Sequence, residues 1–271
     1  MSTINVDIIE PFTSGSDLVT INGVICSTPS SGTIQLTSGF AVATSATVST
    51  IIGDRAGEGN ASNSNTFVGY RAGRNSTNGN GTFIGNSAGQ SSTGLGNTFI
   101  GNISGQLVTG DLNVYIGNGA GVVTGSGSNN VAIGNQSAPA TASVSNSFTL
   151  GNANHNVLRC AVTSITSLSD ARDKKEVEDL NVGLEFIDGL RPVKFVWDDR
   201  NEEGKHDIAD FGFIAQDLKA AEDALEMADV LKLVYDENPE KLEASYGKLI
   251  PILVKAVQEL SAEVKALKAK K

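Results

Sequence analysis

"TFIGNSAG" (residues 82–89) is followed sixteen residues later by "TFIGNISG" (98–105). The pattern extends both ways, through "TFVGYRAG" (66–73) and "TIIGDRAG" (50–57) before it, and "VYIGNGAG" (114–121), "VAIGNQSA" (131–138) and a decayed "FTLGNANH" (148–155) after it. The central glycines, Gly53, Gly69, Gly85, Gly101, Gly117, Gly134 and Gly151, are spaced by 16, 16, 16, 16, 17 and 17 residues. A fixed period this short marks a solenoid with one coil of chain per repeat. Each coil should hold a short apolar strand such as "TFIG", a turn, and a second strand of small residues such as "SAG". Ala and Gly fit a crowded inner corner, and Gly permits positive φ there. Val, Ile and Phe are placed to stack coil on coil. The intervening "NSTNGNG" and "SSTGLGN" carry turn residues.

One coil has few large side chains to bury. At roughly 1.5–3 kcal/mol each, against more than about 1 kcal/mol of backbone entropy per residue, a lone roll is marginal. The roll is therefore expected to associate with copies of itself. A flexible linker would not hold a register of this length.

The chemistry changes abruptly at "TSITSLSDARDKKEVEDL" (163–180). No lysine precedes Lys174, and of the 30 glycines only Gly183, Gly189, Gly204, Gly212 and Gly247 lie beyond residue 160. The expected division is a β cap or attachment segment over 1–48, the roll over 49–157, a connector over 158–168 and a further domain over 169–271. Within 1–48, "DLVTINGVIC", "GTIQLTSG" and "AVATSATVS" alternate as strands do. The net charge of -10 speaks against general affinity for nucleic acid or anionic membrane. Cys26 and Cys160 have no metal or redox spacing and read as small buried thiols. No cofactor or metal site is expected. "MSTINVDIIEPFTSG" lacks the pattern of a secretory signal, and no stretch has the roughly 20 apolar residues of a membrane helix.

Beyond the seam, "VGLEFIDGL" (182–190) reads as a short helix with Leu184, Ile187 and Leu190 on one face. "RPVKFVWDD" (191–199) reads as a strand, and "DIADFGFIAQDLKAAEDAL" (207–225) as a strand running into a helix. "VLKLVYDEN" (230–238) reads as a strand, and the chain from Lys241 onward as helix. In that helix Ile250, Leu253, Val257, Leu260, Val264 and Leu267 are spaced 3, 4, 3, 4 and 3 apart. This narrow a/d seam favours a self-associating coiled coil over about 247–271, its regular part beginning after Pro251. A helix packed on its own domain would want a broader stripe. The heptads do not decide between dimer and trimer.

Two resemblances follow from these motifs. The "NTFIGxxAG" pattern resembles the head repeats of trimeric autotransporter adhesins, which implies a left-handed parallel β-roll in a trimer. The period here is longer, and the absent signal and anchor patterns point away from a bacterial surface adhesin. "SDARDKKEV", "GLEFIDGLRPVKFVW", "FGFIAQDL" and "YGKLIPILVKAVQELSAEV" resemble the C-terminal intramolecular chaperone domain of phage tail spikes and fibres, also classed as S74 self-cleaving peptidases. That resemblance implies a homotrimeric virion appendage, made in a host cytoplasm and joined to the particle through its N-terminus. Its partners would be its own copies and a host surface receptor or glycan. It further implies a cut at Leu168–Ser169, with Ser169 as nucleophile, Lys174 as its lysine partner, and Asp170 and Arg172 in structural or orienting roles.

The chemistry can also be stated without the family. A serine hydroxyl needs a base to take its proton, and lysine is a base only when uncharged, a state favoured by burial or by neighbouring cations such as Arg172 and Lys175. If assembly desolvates and aims the lysine, cutting follows maturation. "SDARDKKEV" is equally a helix-start signature, with Ser or Asp as N-cap. Two other functions remain open: an uncut structural or receptor-binding fibre, with Tyr70, Arg71 and Arg74 as contact candidates, and a glycan depolymerase. The latter needs paired carboxylates, and residues 49–157 hold only Asp54, Glu58 and Asp111, in non-equivalent coils. His206 reads as a surface or packing residue.

Overall fold

The computed structural model describes residues 18–21, 24–27, 35–36 and 49–270, apart from 61, 78, 123–124, 156, 162–164, 199 and 201–204. The chain divides into two compact units, residues 1–152 and 153–271. In the first, β1 (Leu18–Ile21), β2 (Val24–Ser27) and β3 (Gln35–Leu36) form an antiparallel sheet. The expected strand "AVATSATVS" lies outside the described residues except at its end.

The repeats form a parallel β-solenoid of about six turns. Its strands are β4 (Thr50–Ile52), β5 (Thr66–Val68), β6 (Thr82–Ile84), β7 (Thr98–Ile100), β8 (Val114–Ile116), β9 (Val131–Ile133) and β10 (Phe148–Leu150), paired in sequence order. Thr66, Thr82 and Thr98 lie in register, as do Phe67, Phe83 and Phe99. The period of two within each strand turns the middle residue inward and its neighbours outward. Phe67, Phe83 and Phe99 are fully buried, with Tyr115 nearly so. Their rings stack at centroid separations of 5.2, 5.0 and 5.4 Å. Each stacked pair adds about 0.5–1.5 kcal/mol to the burial of its area. Burial pushes the Tyr115 phenol up, and its bond with Asn130 opposes that shift.

A polar column completes the interior. Asn97 and Asn113 are fully buried, yet the Asn97 Oδ1 accepts the Asn113 N–H at 2.8 Å and its Nδ2 donates to Gly110 O at 2.9 Å. Asn113 repeats this toward the Asn130 N–H and Gly127 O, at 2.9 and 3.0 Å. Each amide thus ties one coil to the next and leaves none of these groups stranded.

The second strand expected in each coil is absent. The "AG" segments are turns, because Arg55, Arg71, Ser87, Ile103 and Gln136 take left-handed backbone, with φ between 51° and 56°. Hydrogen bonds to the preceding coil hold that conformation, as from Ser87 N–H to Tyr70 O at 2.8 Å and from Ile103 N–H to Asn86 O at 2.8 Å. The turns still bond between coils: Gly73, Gly89 and Gly105 each donate at 2.9 Å to Ala88, Ser104 and Ala120. The central glycines are required. Gly101 has φ +133°, and a Cβ there would collide with the carbonyl of Gly117 in the next coil.

The second unit contains a 3₁₀ turn (Ala171–Asp173), α1 (Leu184–Gly189), a hairpin of β11 (Val193–Asp198) and β12 (His206–Gly212), α2 (Ala215–Ala224), α3 (Ala228–Leu231), the paired β13 (Val234–Tyr235) and β14 (Glu243–Ala244), and α4 (Leu249–Ala269). Val182, Leu231, Leu233, Leu249 and Ile252 form its core, with Phe186, Ile187, Leu190, Phe213 and Met227 packed against them. Two expectations are corrected. Val230 and Leu231 belong to α3, which Lys232 ends with φ 47°, so the strand is only Val234–Tyr235. Glu243–Ala244 is strand, and the α-helix begins at Leu249 rather than Lys241, because Glu243 and Ala244 pair with β13. Pro251 sits in the first turn of α4, where its missing N–H has no intrahelical role. Cys160 is exposed, not buried, because it lies in an irregular segment whose described residues, 157–161, are all exposed. The side chain of Cys26 lies outside what is described.

Candidate functional site

Asp170 organises the chain around residue 169. It stands at the N-cap of the 3₁₀ turn, and its carboxylate accepts the Arg172 N–H at 2.9 Å. The Arg172 guanidinium closes on both carboxylate oxygens, at 3.0 Å from Nε and 2.6 Å from Nη2. That side-chain bond, and after it the backbone bond, holds the Asp170 carboxyl below its usual range. The single turn reverses the chain and returns Lys174 to Ser169. The Lys174 Nζ donates to Ser169 Oγ at 2.6 Å and to the Ser169 carbonyl oxygen at 2.9 Å. Two bonds to one residue fix both the lysine tip and the serine hydroxyl.

The structure thus brings together Ser169, Lys174, Asp170 and Arg172. The site is open: every residue from 165 to 179 is exposed, and Leu168 is fully so. Lys175 lies 3.8 Å from the carboxylate of Glu176. The helix-start reading also has its counterpart, since Asp170 caps a turn, but only a 3₁₀ turn.

The a/d residues of α4 form the second candidate site. Ile250, Leu253, Val257, Leu260, Val264 and Leu267 are 40 to 64% exposed. A different face of the helix, Leu249, Ile252 and Ala256, is buried in the chain's own core. The inner face ends at Glu259, whose carboxylate accepts the Leu184 N–H at 2.7 Å. From Ser261 to Lys270 every residue is exposed, while the apolar spacing continues to Leu267.

Sequence reasoning missed the inner face and the carboxylates tied to the core. Glu259 caps α1 through space, and a Cβ at Gly183 would collide with that carboxylate. Buried Glu222 similarly accepts the Leu233 N–H at 2.8 Å. The one available signal was Gly183 at a helix start without a side-chain cap.

The other candidates have contacts within their own surroundings. In the roll, Arg71 stacks over the Tyr70 ring at 4.7 Å, and Arg74 pairs with Glu58 at 2.8 Å. Asp111 accepts the Leu95 N–H at 2.7 Å. His206 Nδ1 lies 3.2 Å from Asp198 within the hairpin.

Fold and site together define a repeat solenoid followed by an α+β unit with a serine–lysine pair at its entrance and an outward apolar helix seam. Residues 169–231 match the Peptidase S74 family, described as chaperone of endosialidase. The match begins at Ser169 itself and stops before α4, and it supports a chaperone domain in the second unit. No curated protein matches the chain, and no solved structure does.

Proposed function

We propose that this chain is a homotrimeric virion fibre or spike whose C-terminal unit guides assembly of the β-roll and then cuts itself free at Leu168–Ser169. The observation that carries the reading is the division of α4. One face is occupied within the chain and an adjacent heptad face is left outward over its whole length. A heptad seam that stays exposed among the described residues fits copies of the same helix. Joining copies at one end raises their effective concentration along the rest.

The roll supports the same reading. The outward residue ending each strand forms an aliphatic row, Ile52, Val68, Ile84, Ile100, Ile116, Ile133 and Leu150, with Ile52, Ile84, Ile133 and Leu150 exposed. Pairing of such faces between chains is non-local and slow, which is the step a terminal clamp would assist. Attachment to a particle through the N-terminal segment and contact with a host receptor or glycan complete the proposal.

Mass measurement of the purified full chain tests it under native and denaturing conditions. The expected native species has three copies, and the denatured sample contains a fragment beginning at Ser169 that is absent from Ser169→Ala. A well-folded solitary chain at micromolar concentration overturns the trimer. Cutting that persists in Ser169→Ala removes Ser169 as nucleophile. The uncut fibre is the second reading, favoured by the exposure of Lys174 in the single chain: a trimer with no fragment identifies it.

A further inference from the structure

We propose that Glu263 and Lys268 form an ion pair between copies of α4 and so hold the helices parallel and in register. This rests on the association through the seam proposed above, and adds the side chains that set its direction and its choice of partner. The seam assigns the heptad. Ile250, Val257 and Val264 precede a step of three and are the a positions; Leu253 and Leu260 precede a step of four and, with Leu267, are the d positions. The flanking g positions then include Leu249, Ala256 and Glu263, and the e positions are Val254, Ser261 and Lys268.

The first half of the g flank is already in use, since Leu249 and Ala256 are buried. From Ser261 to Lys270 every residue is exposed, and there the two flanks carry opposite charges, Glu263 on one and Lys268 on the other. In a parallel bundle the g residue of one helix meets the e residue five positions further along its neighbour. Five positions beyond Glu263 is Lys268. The two earlier pairs, Leu249 with Val254 and Ala256 with Ser261, are uncharged. Antiparallel helices set g against g and e against e. With the seams overlapping along their length, that places Glu263 opposite Ala256 and gives Lys268 no carboxylate.

The charges have no such use inside one helix. Residues five apart do not face each other. Three or four residues from Glu263 stand Glu259, Leu260, Ala266 and Leu267; three or four from Lys268 stand Val264, Lys265 and Lys271. Neither charge has an opposite one at that spacing. Glu259 and Lys265 instead repel them, which disfavours a lone helix. A lysine in the last turn suits the helix dipole, but that leaves Glu263 unexplained. Between copies, both placements become attractive.

The test uses freshly synthesised full chains, all carrying Ser169→Ala so that no cut divides them. Native mass spectrometry over a dilution series gives the concentration at which half the chains assemble. Glu263→Lys and Lys268→Glu should each raise it about tenfold at low salt, and less at high salt. The chain with both exchanges should return to within about twofold of the parent, although its helix end carries the same acidic residue. Differently tagged chains of the two single variants should assemble together in preference to assembling alone, because every ring of three that mixes them keeps all but one contact attractive. If neither single exchange moves the midpoint, or the double exchange does no better than the singles, the pair is wrong while the seam stands. Mixed assemblies no commoner than chance also overturn it. If the parent chain stays solitary at micromolar concentration, the seam reading fails and the pair goes with it.

Discussion

In the roll, Phe67, Phe83, Phe99 and Tyr115 are closed inside the coils, and the asparagine column meets its own hydrogen-bonding needs. In the C-terminal unit, a small core coexists with a whole row of exposed apolar residues on α4, and Phe211 stands 82% exposed on the hairpin. The roll's interior is complete within one chain, although its sheet keeps an apolar outer row. The other unit is finished on one side only. The contrast teaches that the two regions would depend differently on neighbouring copies in the proposed assembly: the roll would gain cover for one apolar row, whereas the seam of α4 would have no role without them. A clamp that is useful only when shared suits a segment that directs assembly.

The strongest way to break this comparison is to place charges on the seam. Val257→Asp with Leu260→Asp should abolish self-association, so that sedimentation velocity records single chains. The yield of folded roll should fall with it. If the roll still assembles, α4 is not the clamp. Next in size is Phe99→Ala, which opens the ring stack and should cost about 3–5 kcal/mol in denaturant unfolding. Its effect should not depend on protein concentration in the way a seam substitution does. Ile252→Ala probes the inner face of α4 and should cost about 2–5 kcal/mol of the C-terminal unit's stability, read from its thermal transition. Asn113→Ala should cost about 1–3 kcal/mol, because the buried Asn130 N–H loses its acceptor, and hydrogen exchange at Asn130 should quicken.

The smallest expected effect is at the Asp170–Arg172 pair beside Ser169. Arg172 depresses the Asp170 carboxyl, so the charged form favours the folded turn. That contribution is present above the ordinary carboxylate value of about 3.9 and disappears as pH falls through the lower folded value. Arg172→Gln should move the Asp170 titration, followed by carboxyl NMR, upward toward the ordinary value. No upward movement would show that Arg172 does not hold the carboxylate.

The solenoid was legible because a spacing of sixteen or seventeen residues survives every change of side chain. The same spacing could not show that the "AG" segments turn. Left-handed backbone at Arg71, Ser87 and Ile103 depends on bonds to the coil before, which no local propensity reports. The heptads of α4 were equally plain, but they concealed its second face. Leu249, Ile252 and Ala256 are separated by 3 and 4, the same rhythm as the seam, and only packing tells the two apart. Ser169 and Lys174 were readable as a pair through the resemblance, since serine-to-lysine spacings of this kind are common. Their contact depends on the Asp170-capped turn, whose tightness is a matter of three-dimensional bonding. Glu259 lies far from Leu184 along the chain, so its capping bond had no local sign.

The repeating Gly101-to-Gly117 contact has a bearing on length. Because successive coils meet through equivalent backbone atoms, removing residues 82–97 would set the Thr66 strand beside the Thr98 strand with both ladders preserved. The rod is then a ruler graduated in single coils, each mark about 4.8 Å from the next. Its reach can be lengthened or shortened by whole units without redesigning either end.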